Sequence, residues 1–183
     1  MRRGFKAEAE RLATQVRAEA GMGSLGRLDI DRLAEQVGAS IRAADELVTR
    51  SKLERLEQIQ SGAFSAATFD LNGRIVIVTN PLAEEERRRS DVSHEVAHLL
   101  LNHQVKEIEQ IGKVSFFTCD AEEEQEATWL AGCLLLPREL LLRSLQRGMD
   151  ANAIAAANTV STQMTNFRLR TTGALVQTRR AVR

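Results

Sequence analysis

All three histidines of this chain fall between positions 94 and 103, and two of them form His94-Glu95-Val96-Ala97-His98. That clustering constrains the fold more than any other feature. On a helix, residues four apart lie about 40° apart around the axis and roughly 6 Å along it. Both imidazoles then face the same way and can share one tetrahedral zinc. Glu95 sits beside them, placed to take a proton from a water at the metal. Val92, Val96, Leu99 and Leu100 supply the apolar face by which such a helix packs. The third ligand must come from elsewhere. His103 lies five residues beyond His98, and on a continued helix it is turned about 140° away. Its expected role is that of a polar helix-end residue bonding the last carbonyls. With no other histidine in the chain, a carboxylate from another element is expected, ahead of a cysteine.

Carboxylates crowd at Asp120, Glu122, Glu123, Glu124 and Glu126, just before an apolar run. Acids complement the dipole at a helix N-terminus, but a ligand must also face the interior. At about 100° per residue, Glu124 lines up with Thr128, Ala131 and Leu135, and Glu123 with Ala127, Leu130 and Leu134. Glu122 and Glu126 fall nearer the margin. The wheel leaves Glu123 and Glu124 as candidates.

The rest of the chain reads as α+β, mostly helical, with a small antiparallel hairpin in the middle. Phe5 to Ala20 repeats apolar residues at three- and four-residue steps. Asp29 is placed to cap a short helix that Gly38 stops, and Ser51 to Gln60 forms another carrying Leu53, Leu56 and Ile59. Ala63 to Leu71 and Arg74 to Thr79 are strand-like runs joined at Asn72-Gly73, a hairpin signal. Asn80-Pro81 reads as N-cap and first residue of the metal helix, which runs to about Asn102. After an irregular stretch, Glu122 to Leu136 is helical and Pro137 opens the next helix, closed by Gly148. Asp150 to Gly173 forms two short helices with a break near Asn158. The 25 basic and 25 acidic residues cancel, so no global charge points to nucleic acid or a membrane. Leu130 to Leu136, the longest apolar stretch, is far short of the ~20 residues of a membrane span. Cys119 and Cys133 read as reduced thiols, and the start lacks the apolar core of a signal peptide. A cytoplasmic setting is expected.

The run Arg87 to His98, with Asn80-Pro81 before it and Leu99-Leu-Leu-Asn-His103 after it, resembles the ImmA/IrrE family of zinc-dependent, gluzincin-like metallo-endopeptidases. Glu124-Gln-Glu-Ala127, continuing through Ala131 to Leu134-Leu-Leu-Pro137, is similar to the second motif of that family. Val160-Ser161, Phe167-Arg-Leu169 and Thr172-Gly173 extend the resemblance from Arg3 to Gly173. It departs at Thr128, where Asn or Asp is usual, and at Leu130, where Phe is usual. In gluzincins that Asn/Asp supports a ligating histidine from behind, so Thr128 implies a looser support.

The resemblance implies one peptidase domain over residues 1–173, with N-terminal helices at 1–62, the hairpin, metal helix and third-ligand helix at 63–148, and a small helical segment at 150–173. A basic tail follows at 174–183. The resemblance places the third zinc ligand on Glu124. It implies peptide hydrolysis with Glu95 as base, directed at a helix-turn-helix transcriptional repressor. The chain has no Tyr to steady an oxyanion, leaving His103, an arginine, a backbone N–H, or no such group at all. A shallow cleft between metal helix and sheet is expected, the hairpin edge offering a strand for peptide pairing. Nothing of domain size follows Gly173, so regulation is expected from a partner or from metal supply. Arg87 to Arg89 reads as a solvated face and Cys133 as core.

Two rival readings stand beside this one. The segments Ala151 to Ala157 and Ser161 to Arg170 resemble a small helix-turn-helix. With Arg168, Arg170, Arg179, Arg180 and Arg183 they would suit DNA. The other rival is a zincin fold without catalysis, serving as an interaction or toxin–antitoxin component.

Overall fold

The apolar positions of the first segment form one stripe, and α1 (Phe5–Glu19) buries it through Phe5, Ala9, Ala13 and Val16. The computed structural model describes residues 1–70, 73–103, 107–111, 114–118 and 120–181, and side chains over that range except 107–118 and 179–181. Leu71, Asn72, Cys119, Arg183 and the Arg179 and Arg180 side chains, named above, lie outside the described residues. Asp29 caps α2 (Ile30–Gln36), accepting from the amides of Asp31 and Arg32, and Gly38 at φ +73° turns the chain out of it. Then follow β1 (Ala39–Ala43), a 3-10 turn at Ala44–Glu46, α3 (Arg50–Ile59), β2 (Ala66–Asp70), β3 (Ile75–Thr79) and α4 (Glu85–Leu100). A strand pair, β4 (Glu107–Ile111) and β5 (Val114–Thr118), separates α4 from α5 (Ala121–Leu135). The chain continues through α6 (Arg138–Gln146), α7 (Ala151–Asn158), α8 (Thr162–Thr171) and α9 (Ala174–Ala181).

The architecture is α+β and mostly helical, as expected, but the main sheet is mixed. Its order is β1-β3-β2. The antiparallel β2–β3 hairpin is present, Thr68 facing Ile77, and β1 adds in parallel, Ile41 facing Ile77. β1 escaped the sequence reading because Ala-Ser-Ile-Arg-Ala carries a single β-branched residue, Ile41, and no aromatic to mark it as a strand. The antiparallel β4–β5 pair fills the stretch expected to be irregular.

Other boundaries moved for identifiable reasons. Asn80 caps a turn rather than α4. Its Oδ1 accepts from the Leu82 amide at 2.9 Å, and its Nδ2 donates to the Phe64 carbonyl at 2.9 Å. Pro81 fits that turn as well as it fits a helix start, and α4 begins only at Glu85. In α3 only Leu53 is buried; Leu56 and Ile59 are 40% and 74% exposed. Residues 174–181, expected as a tail, form α9, whose Ala174 is fully buried and which packs on α6 and α8.

α5 runs through the centre. Ala127, Leu130, Ala131, Cys133, Leu134 and Leu135 are all buried, and the helix packs on α4, α1 and α8. Leu130 is therefore core, and burial pushes the free Cys133 thiol up to about 12, leaving it unreactive at neutral pH. Carbonyls at the end of α5 have no partner within the helix, and two buried arginines reach them. Arg17 donates to the Leu134 carbonyl at 2.7 Å. Arg168 donates to the Leu136 carbonyl at 3.0 and 3.1 Å and pairs with Glu10 at 2.7 Å. Arg168 is thus an internal staple, not part of a basic surface. Arg89, expected to be solvated, is also buried and donates to the Leu28 and Thr159 carbonyls. Among the described residues, no helix is long and apolar enough to cross a membrane.

Gly132 lies where α5 meets Arg168, and a Cβ there would stand 2.9 Å from Arg168 Cδ. Alanine gains about 1 kcal/mol of helix propensity over glycine, but overpacking a core costs about 1–3 kcal/mol. Because Nε and Nη2 of Arg168 are held by the Leu136 carbonyl and Glu10, overpacking outweighs propensity and Gly132→Ala should lower the unfolding free energy by about 1 kcal/mol in a urea titration. Unchanged or increased stability would show that Arg168 can move aside.

Candidate metal centre

α4 presents Val92, Ser93, Val96 and Ala97 to the interior, all buried, and the intervening positions carry His94 and His98 to its margin. The two Nε2 atoms are 3.0 Å apart. α5 packs alongside, and its first turn brings in Glu124. One carboxylate oxygen lies 3.2 Å from His94 Nε2 and the other 3.3 Å from His98 Nε2. A tetrahedral zinc with bonds of about 2.0–2.1 Å separates its ligand atoms by roughly 3.3 Å. The three donors fit one such face, forming a group compatible with a metal ion. Glu126, placed near the margin by the helical wheel, is instead buried and turned away from this cluster.

Glu95, half-buried, accepts from Thr68 Oγ1 at 2.6 Å. β2 thus reaches across to hold the carboxylate beside the cluster. Nothing in the sequence singled out Thr68; the contact depends on how the hairpin lies on α4.

α4 ends early. Leu101 is its C-cap and Asn102 takes φ +51°. The Asn102 amide bonds the Leu99 carbonyl and the His103 amide bonds the His98 carbonyl, at 3.1 and 3.0 Å, the two bonds of a Schellman turn. This reversal brings His103 back, so the rotation expected on a continued helix does not apply. His103 stays outside the ligand group, but its Nδ1 lies 3.0 Å from His98 Nδ1. Its other nitrogen is 3.9 Å from Glu126, which accepts from the Arg2 amide at 2.8 Å and from Arg2 Nε at 3.1 Å. Burial alone would raise the Glu126 carboxyl; the hydrogen bonds from Arg2 outweigh it and hold the group below its usual range.

Residues 34–170 match the profile of the IrrE N-terminal-like domain, Peptidase_M78. The chain belongs to this family. A solved Mycobacterium tuberculosis transcriptional regulator shares the fold, with a TM-score of 0.57 at 16% identity; the match covers 89% of this chain and 46% of that one. The chain therefore spans about half the length of that regulator. Among curated proteins no significant match was found.

In this Peptidase_M78 member a cleft of about 1000 Å³ opens beside His94. It runs between α4 and the α7–α8 pair, with Arg87 and Asp91 on one wall, Met164 and Phe167 on the other, Ala131 along it and Ser65, just before β2, at its rim. Arg87 pairs with Asp91 at 2.9 Å, while burial raises the Asp91 carboxyl above its usual range. Thr128, exposed, lines the same groove.

Burial, reinforced by the neighbouring His94, pushes His98 in the metal-free protein down to about 4. The unfolded chain, with a histidine near the ordinary 6.5, binds the proton first on acidification. Any stability from neutral His98 is complete above about pH 6.5 and lost as the pH falls toward about 4. His98 ring resonances of the metal-free protein should stay unshifted from pH 7.5 to 5.5 in an NMR titration. A midpoint near 6.5 would contradict the burial argument.

Proposed function

We propose that this chain is a zinc-dependent metallo-endopeptidase with His94, His98 and Glu124 as ligands and Glu95 as general base. The observation that carries this reading is the convergence of those three donors beside Glu95 in a Peptidase_M78 domain. Two imidazoles and one carboxylate, with room for a further ligand, are the donor set of catalytic zinc. When bound, zinc supplies Lewis acidity that polarises the scissile carbonyl and acidifies a water. Glu95, fixed by Thr68, takes the proton as the water oxygen bonds to the carbonyl carbon. It then hands the proton to the amine as the C–N bond breaks. Thr68 belongs to β2, an edge strand of the sheet, so an extended peptide paired along it would pass over Glu95.

The substrate we assign is a helix-turn-helix transcriptional repressor cut at one site, which sets the reaction in the cytoplasm. The family resemblance supports this. The groove between α4 and α7–α8 offers a surface for docking a folded partner, so short free peptides should be poor substrates.

One zinc per chain is expected by elemental analysis. His94→Ala, His98→Ala and Glu124→Ala should each abolish stoichiometric binding, and Glu122→Ala, altering an exposed side chain, should not. Zinc retained in Glu124→Ala would dismiss it as a ligand.

Glu95→Gln removes the proton acceptor with almost no change of shape. It should keep zinc and stability but lower turnover on the repressor by roughly 10²–10⁴-fold. Mass spectrometry of a candidate helix-turn-helix repressor, incubated with each protein, provides the readout. Equal cleavage by both would remove Glu95 as the base, and unselective digestion of casein would point to a housekeeping protease.

A further inference from the structure

We propose that His103, seated by Glu126 and Arg2, is a positioning residue that fixes the tautomer and orientation of His98 toward the metal. The inference rests on the ligand set proposed above.

The argument is one of donors and acceptors. His98 Nδ1 and His103 Nδ1 stand 3.0 Å apart, so one proton must lie between them. His98 Nε2 faces His94 and Glu124, and to ligate it must offer its lone pair. The His98 proton is then on Nδ1 and is donated to His103. This leaves the His103 proton on Nε2, on the side of Glu126, whose carboxylate only accepts. At 3.9 Å that last contact is electrostatic rather than a hydrogen bond. The opposite tautomers would put an N–H among the ligand atoms and turn a lone pair toward a carboxylate.

The arrangement is dry and anchored. The His103 and Glu126 side chains are only 7% and 4% exposed, so solvent does not replace these contacts. Arg2 donates to both Glu126 oxygens. Thr128 turns out to the groove, and the support for His98 comes instead from the reversed end of α4. Partners of this kind raise ligand basicity and hold the ring in place.

The test compares wild type, His103→Ala, His103→Gln, Glu126→Gln and the His103→Ala/Glu126→Gln double variant. Zinc affinity is measured by chelator competition, metal-free folding by circular dichroism, and the His98 Nδ1 proton by NMR. His103→Ala should weaken zinc roughly 10–100-fold with the metal-free fold retained. His103→Gln, whose side-chain oxygen can accept the same bond, should recover to within about threefold of wild type and keep the NMR signal. Glu126→Gln should weaken zinc less, and should add nothing once His103 is gone. Zinc affinity of His103→Ala within about threefold of wild type overturns the proposal, as does a Gln variant as weak as the Ala variant. If His103→Ala does not fold, Glu126→Gln decides: unchanged affinity with an unchanged His98 signal overturns it. Loss of zinc in His94→Ala and Glu124→Ala without an effect at His103 sinks only this role. Zinc retained in those two sinks the ligand set itself.

Discussion

The packing of α4 against α5 fixes where the three donor atoms meet. Val92, Val96 and Ala97 on one helix and Ala127, Leu130 and Ala131 on the other are all buried. Hydrophobic burial is non-directional, but close-packed side chains do not slide, because each shift opens a void or forces a clash. The first turn of α5 is thereby held over the last turns of α4. A shift of one residue along α5 would rotate Glu124 by about 100° and take it out of reach of both histidines. The arrangement of the donor cluster is thus a by-product of an apolar interface rather than of the donors themselves.

Buried arginines hold that interface from behind. Arg17 on α1 and Arg168 on α8 converge on carbonyls at the C-terminal end of α5, and Arg89 on α4 ties Leu28 to Thr159. Hydrogen bonds to charged groups contribute about 1.5–3 kcal/mol each, and an orphaned buried guanidinium costs more. These cations meet mostly carbonyls, with Glu10 the acid beside Arg168. They draw the N-terminal and C-terminal helices onto the helix that carries Glu124, and the α7–α8 pair so anchored becomes a wall of the groove beside His94.

The reversal after α4 serves two purposes at once. It satisfies helix-end carbonyls through the amides of Asn102 and His103, and it returns the His103 ring to the back of His98. On the opposite side β2 brings Thr68 to Glu95. His98 is thus braced by the turn that closes α4 and Glu95 by β2, so the short helix segment is held at both residues.

The pair His94 and His98, with Glu95 between them, was legible from spacing alone, because helical periodicity is local and depends only on residue order. The cap at Asp29 is of the same kind. The choice of Glu124 was half legible: a helical wheel narrowed the acids to Glu123 and Glu124, and the family resemblance chose between them. What misled the wheel was Glu126, whose burial depends on Arg2, and no helical period reports so distant a partner. β1 was invisible for a similar reason, since a short strand poor in β-formers is made by pairing with β3 rather than by its own residues. Thr68 beside Glu95, His103 behind His98 and the groove walled by α7 and α8 were decided only when distant segments packed. Sequence order sets the angles around one helix; the distances between helices come from the burial of their apolar faces against one another.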